Sequence, residues 1–199
     1  MSEKYLGWHF LANNRRLQYG DDTRQLRKGS VRHFDGTPVL CRSGLHWSER
    51  PIDALQYAPG NILCRVEAWG ETVIGDDKAA SRHSKVLWWI DAERLLWSWL
   101  CDIATTALDT VGDADPRSLA AIQLRREWLD GRVVTASEWA ASSAASSAAA
   151  SAAAGAAAGA AAGAAAGAAA WTAQNQRLEA MIWAEALRLN IADEKEQGG

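Results

Sequence analysis

Asn61-Ile62-Leu63-Cys64-Arg65-Val66-Glu67-Ala68-Trp69 decides the fold class, because its side chains alternate with a period of two. Ile62, Cys64, Val66 and Ala68 project one way, and Leu63, Arg65, Glu67 and Trp69 the other. That is the pattern of a strand with one buried and one partly exposed face. Gly70 interrupts it, residues 72–74 resume it, and Gly75-Asp76-Asp77 turns the chain, so a strand-rich module is expected around it.

Toward the N-terminus the same grammar continues. Residues 5–11 are aromatic-rich and run into Asn13-Asn14, a turn signal. Gly20-Asp21-Asp22 and Asp35-Gly36 mark two further turns, with Leu26 and Val31 between them fitting a short strand. Residues 38–41 start another strand, closed by Ser43-Gly44. Over 48–57 the period changes: Pro51 suits a first helical turn, Ser48 or Glu49 lies near the cap position, and Pro59-Gly60 stops the helix.

Toward the C-terminus, 86–90 is the last strand candidate, and Asp91 caps a helix. Leu95, Leu96, Trp99, Leu100, Ile103, Ala107 and Leu108 form its i, i+3/i+4 stripe. Asp115-Pro116, a cap followed by a first-position proline, starts a second helix that runs to Gly131 through Leu119, Ile122 and Leu129. Thr135-Ala136-Ser137-Glu138 is a capping box for a third. The fold class is therefore α+β: a small strand-rich N-terminal module, then an all-α C-terminal region with a long Ala/Gly-rich helix. The division expected is a module over 1–90, two helices packing on it over 91–134, a helical arm over 135–191 and a disordered tail over 192–199.

Bulk composition agrees with that division. Of the 199 residues, 140–170 are only alanine, serine and glycine, including 22 alanines, which bury little apolar area. Eight of the 11 tryptophans lie in 1–130. The net charge of −3 hides an asymmetry: 1–90 hold 13 Lys/Arg against 10 Asp/Glu, and 91–199 hold 8 against 14. Neither half has the basic stripe of a dedicated nucleic-acid binder, and the cluster Arg24, Arg27, Lys28 and Arg32 reads as a solvated face. Cys41, Cys64 and Cys101 cannot all pair with one another and sit among apolar residues, as buried free thiols do in a reducing compartment. With no charged n-region followed by an apolar run at the start, a cytoplasmic location is expected.

From Trp139 to Gln176 the chain carries no charge, and Gly155, Gly159, Gly163 and Gly167 recur with three alanines between them. Alanine favours helix, and four interior glycines cost roughly 3–4 kcal/mol in total. Each glycine sits about 40° further round than the last, so a smooth strip winds along the helix. Three readings stand side by side: a tolerated solvent spacer, close packing of helices on the glycine strip within or between chains, and a membrane helix. The third lacks any Leu, Ile, Val or Phe in 140–170, so no membrane partner is expected. Leu178, Met181, Ile182 and Leu189 then form an apolar face, with Trp171 and Trp183 as anchors, that must bury itself on the front module or on a second copy.

Motifs for chemistry are sparse. His9, His33, His46 and His83 are scattered, Cys41 and His46 do not match a zinc spacing, and no CxxC or HExxH occurs, so no metal is expected. There is no phosphate loop, GxGxxG or GxSxG. The most informative run is Cys41-Arg-Ser-Gly-Leu-His-Trp-Ser-Glu-Arg-Pro-Ile-Asp-Ala-Leu-Gln-Tyr-Ala-Pro-Gly60, followed by Ile62 to Glu71 and by Gly75-Asp76-Asp77-Lys78. With Gly7-Trp8-His9-Phe10-Leu11, these motifs (GLHxS, ALxYAPG, VxxxGE, GDDK) resemble an uncharacterised domain family common in bacteriophage and prophage proteins. The resemblance covers about residues 5–90. It implies origin more than activity.

A looser likeness is to ADP-ribosyltransferase-like folds, including the RNA 2′-phosphotransferases. That likeness implies a cleft for NAD in which His9 takes the first-strand role, His46 and Ser48 the second, and Glu67 or Glu71 the acid. The arginine contacts such enzymes make to the nucleotide are not recognisable here. Read from the residues alone, His46 is a turn residue, Ser48 a helix cap and Glu67 a strand residue facing solvent.

The leading expectation is a phage-type, non-enzymatic binding or assembly protein without a cofactor. Its front module would bind a ligand or partner through Trp8, His46, Trp47, Tyr57 and Trp69, and its arm would pack or oligomerise with itself or another protein. The alternatives are the NAD-using enzyme above and a sponge for a nucleotide-like signal that stacks on tryptophan.

Overall fold

The computed structural model describes residues 3–17, 24–111, 114–145 and 164–192. The class is α+β. Five antiparallel strands fill the N-terminal half: β1 (Lys4–Leu11), β2 (Val31–His33), β3 (Leu45–Trp47), β4 (Ile62–Ile74) and β5 (Ala79–Asp91), with the short helix α1 (Pro51–Leu55) after β3. Helices α2 (Glu93–Val111), α3 (Pro116–Leu129), α4 (136–145) and α5 (Ala164–Arg188) follow. The chain forms two compact units, one of 1–93 with 175–199 and one of 94–174.

The first unit is organised by the β4–β5 hairpin. Its turn closes by Gly75 N–H donating to the Lys78 carbonyl at 2.9 Å. β1 adds to β4 with Gly7 opposite Val66 and His9 opposite Cys64, and β2 adds to β5 with His33 opposite His83. β3 pairs with the start of β5, Trp47 opposite Ala79. Ser48 then exchanges both backbone hydrogen bonds with Trp8 on β1, at 2.8 and 2.9 Å. The path β1–β4–β5–β3 thus returns to β1, and the sheet curls round on itself. Two irregularities allow this. An extra residue on β5 lies between Val86 and Trp88, and an extra residue on β4 lies at Gly70-Glu71, with Gly70 at φ +86°.

Curling gives the sheet two cores. On the inner face Leu11, Ile62, Cys64, Val66, Ala68 and Val86 pack with Leu26 and Trp47. The Trp47 ring lies so close to β1 that a Cβ on Gly7 would meet its Cε3 at 2.3 Å, which explains glycine in the middle of that strand. On the outer face Trp8 and Trp88 meet Trp183 of α5. All three indoles are mutually edge-on, with centroids 5.4–6.0 Å apart. The Arg65 guanidinium lies 4.5 Å from the Trp8 ring and 5.8 Å from the Trp183 ring. The buried indole N–H groups of Trp8 and Trp88 have no hydrogen-bond acceptor.

The C-terminal half of α5 belongs to this unit because its buried residues Asn175, Leu178, Ile182 and Ala186 recur at helical spacing. Trp183, expected as an anchor, is buried with them, whereas Leu189, expected on that apolar face, and Trp171, expected as the other anchor, are exposed. Asn175 also performs a capping role at long range. Arg50, the N-cap of α1, makes no side-chain cap bond, and the Ile52 N–H is taken by Asn175 Oδ1 at 3.2 Å. α5 stops in a Schellman arrangement, with Asn190 at φ 55°, Asn190 N–H on Leu187 and Ile191 N–H on Ala186.

In the second unit the sequence signals for helix ends are realised. Asp115 accepts from Arg117 N–H at 2.8 Å, and the Thr135–Glu138 box is reciprocal, at 2.7 and 3.3 Å. Arg126 reaches from α3 to Asp102 on α2 at 3.0 Å. Arg125 lies between two indoles, 3.7 Å from the Trp97 centroid and 3.9 Å from that of Trp139.

Several expectations change. Residues 38–44 form a turn with Val39 bridged to Ser43, and the strand is 45–47. β5 begins at Ala79 rather than at 86. Helix α1 is capped by Arg50, not by Ser48 or Glu49. Arg32 is buried and donates to Ser84 Oγ at 3.1 Å, so it is not part of a solvated face. Cys41 is exposed, while Cys64 and Cys101 are buried. Burial pushes the Cys64 thiol up to about 12. The turn at Gly20-Asp21-Asp22, the glycines Gly155, Gly159 and Gly163, and the tail 193–199 lie outside the described residues, and Gly167 lies within α5. Among the described residues, no helix is long and apolar enough to cross a membrane.

Candidate functional site

The first unit carries a groove of about 880 Å³, a size that suits a drug-sized ligand or a short peptide. Tyr5 and Trp47 stack at 5.7 Å, nearly parallel, and line it together with Leu6. β1 places Tyr5 and Leu6 there, and the β3 pairing to Ala79 presses Trp47 into place beside them. The Trp47 indole is anchored by donating to Ser81 Oγ at 2.9 Å.

Charged side chains of both signs line the groove. The first turn of α1 supplies Asp53, buried, whose carboxylate accepts from Arg50 Nε at 2.6 Å. The β4–β5 turn supplies Asp76, Asp77 and Lys78. Tyr57, half exposed, donates its hydroxyl to Asp77, and its ring carries the Lys78 ammonium at 3.8 Å. Tyr57 and then the Cys41 thiol hold the Lys78 amine above the usual lysine range. Lys4, Arg65, Glu49 and Glu179 are also in the lining, which then holds four basic and five acidic groups. Lys4 is paired with Glu67 at 3.0 Å.

Of the residues expected to bind, Trp47 lines this groove and Tyr57 braces its turn. Trp8 is wholly buried in the outer core, and Trp69 stacks on His83 elsewhere on the sheet. Of the residues expected to form an NAD cleft, His9 and His46 are close neighbours. Burial, then Arg32 and His46, push His9 down to about 3, so it is neutral at physiological pH. Burial, then Lys78, lowers His46 as well, and its Nε2 has no hydrogen-bond partner. Ser48 is buried and its backbone pairs with Trp8. Glu67 points away from His9, since His9 is opposite Cys64 and Glu67 is opposite Leu6 in the same register. Glu71 is bound to Arg82 at 2.7 Å. The groove lining includes none of His9, His46, Ser48, Glu67 or Glu71.

Sequence reasoning missed Tyr5, Arg50, Asp53 and Arg65 as groove residues. The signal that could have found part of the site was the Gly75-Asp76-Asp77-Lys78 turn, which was visible as a motif but had no position until the hairpin folded.

The molecule is thus an α+β protein whose strand-rich unit carries a charged groove with an aromatic lining. Residues 15–97 match a family model described as a domain of unknown function (DUF7666). The match begins after β1 and ends inside α2. No curated protein matches the chain, and no solved structure does.

Proposed function

We propose that the first unit is a non-enzymatic binding module whose groove receives a short polypeptide segment carrying both positive and negative side chains. The observation that supports this reading is the groove lining, where Tyr5 and Trp47 sit among basic and acidic groups in nearly equal number. A nucleotide phosphate would favour a basic excess and convergent backbone N–H groups. A peptide of mixed charge matches both signs at once, with an aromatic surface for an apolar side chain. The neutral state of His9 and the engagement of Glu67 and Glu71 in ion pairs favour binding over chemistry. The order of the GLHxS, ALxYAPG and GDDK motifs supports a phage or prophage setting for this role. The regular glycines of 155–167 support a packing or self-association role for the arm.

A display library of random linear peptides, selected on the full chain, tests the reading. Enriched peptides should carry both charges and bind at micromolar concentration. They should lose at least tenfold when Asp76→Lys and Lys78→Glu are combined. Failure to enrich any peptide that responds to this double change would refute it, as would saturable NAD binding abolished by His46→Ala. Light scattering on the intact chain and on a variant with all four glycines changed to leucine tests the arm. Identical monomers in both would remove the self-association role.

A further inference from the structure

We propose that His33 and His83 form a chelating site for a late first-row divalent cation such as Cu²⁺, Ni²⁺ or Zn²⁺. The two residues are 50 apart in sequence and no spacing motif joins them. The β2–β5 register sets them directly opposite one another, on the same face of an antiparallel pair. Their Nδ1 atoms are 3.0 Å apart and share a hydrogen bond in the cation-free pair. Two imidazole nitrogens bound to one cation at about 2.0–2.1 Å stand roughly 2.8–3.4 Å apart for bond angles between square and tetrahedral. The separation of the two nitrogens therefore already matches the bite of a chelate. The softness of histidine χ2 lets each ring turn out of their 4.5 Å stack and aim its lone pair at a shared cation.

The surroundings keep the two rings together before a cation binds. Asp35 Oδ1 lies 2.7 Å from His33 Nε2 and takes its N–H, which leaves the Nδ1 lone pair of that ring free of a proton. This is the carboxylate–histidine–metal arrangement that fixes tautomer and ring orientation. His83 is then the Nδ1 donor in the free pair, and its proton moves to Nε2 when the cation takes both lone pairs. On the other side Trp69 stacks on His83 at 5.4 Å, 11° from parallel, and His83 stacks on His33 at 4.5 Å. Gly70 permits this stack, because a Cβ there would lie 2.7 Å from His83 Cδ2. The nearby Arg82 charge is offset by Glu71. Among the described residues, no third histidine, cysteine or carboxylate joins to make a closed centre, so water completes the coordination. Two nitrogens, exposed on one side, suit Cu²⁺ or Ni²⁺ by the usual affinity order, with Zn²⁺ weaker than Cu²⁺.

Titration of the full chain with Cu²⁺, followed by calorimetry and by electron paramagnetic resonance, tests the assignment. One Cu²⁺ should bind per chain at micromolar concentration, with hyperfine structure from two equatorial imidazole nitrogens. His33→Ala and His83→Gln should each weaken binding at least tenfold, and the double variant should show no binding below millimolar Cu²⁺. Asp35→Asn should weaken it about tenfold without removing either nitrogen from the spectrum. Far-UV circular dichroism of each variant identifies any that fails to fold, and Asp35→Asn alters no strand residue. Binding that survives both histidine changes, a spectrum lacking two imidazole nitrogens, or no binding below millimolar Cu²⁺ would overturn the assignment.

Discussion

Replacing Trp183 by alanine tests whether the C-terminal half of α5 is part of the front module's core. Trp183 is buried and contacts Trp8 and Trp88 edge-on, with Arg65 alongside. Deleting a buried tryptophan side chain costs about 3–5 kcal/mol through lost transfer energy and the cavity left behind. Two edge-on ring pairs, each contributing roughly 0.5–1.5 kcal/mol beyond area, place Trp183→Ala at the upper end, about 4–5 kcal/mol. Trp183→Phe keeps a ring and most of the area, and about 1–2 kcal/mol is expected. Urea unfolding followed by far-UV circular dichroism gives the comparison. With a slope of about 2 kcal/mol per molar, the alanine variant should lower the midpoint by roughly 2 M. Trp171→Ala, on an exposed position of the same helix, should change stability by less than about 1 kcal/mol. A Trp183→Ala loss below about 1 kcal/mol, or one equal to that of Trp171→Ala, would refute the view that α5 completes this core.

Gly7→Ala should destabilise by about 1–3 kcal/mol, because the new methyl must displace the Trp47 ring or shift β1 against the Ser48 carbonyl. A melting temperature equal to that of the parent would show that Trp47 does not press on β1. His9 predicts a pH dependence. In the unfolded chain it protonates near 6.5, whereas in the folded unit it stays neutral down to about 3. Its contribution is therefore intact above pH 6.5 and is lost as pH falls, by up to about 1.4 kcal/mol per pH unit, levelling near pH 3. His9→Gln should flatten that part of the stability–pH curve, and an unchanged slope would count against a neutral buried His9.

Much of the fold was legible because it rests on local pattern. The alternation over 61–69 announced β4, and the Asp115-Pro116 and Thr135–Glu138 signals announced two helix starts that the hydrogen bonds realise. The first half of β5 was not legible, since Ala79-Ala80-Ser81-Arg82-His83-Ser84 has no β-branched residue or apolar alternation. It is a strand because the Gly75–Lys78 turn folds it onto β4 and because β2 and β3 pair on its other edge. The same dependence on pairing hid the groove. Tyr5, Arg50 and Lys78 carry no shared sequence motif and come together only when the sheet curls and α1 settles beside β1. Arg32 misled for a related reason: a cationic cluster reads as surface until Ser84 is known to lie across from it.

The bond from Asn175 to the start of α1 means that a segment 123 residues downstream completes structure begun by the strands. During synthesis the strands leave the ribosome well before that partner exists, so Trp8 and Trp88 stay uncovered until the segment around Trp183 has been made. Once it arrives, closure must span everything between positions 93 and 175, yet the entropic toll of a loop rises only logarithmically, about 0.6 kcal/mol per doubling. Gain or loss of whole Ala-Ala-Ala-Gly units inside that span would barely alter the stability of the front module, leaving the repeat number free to drift.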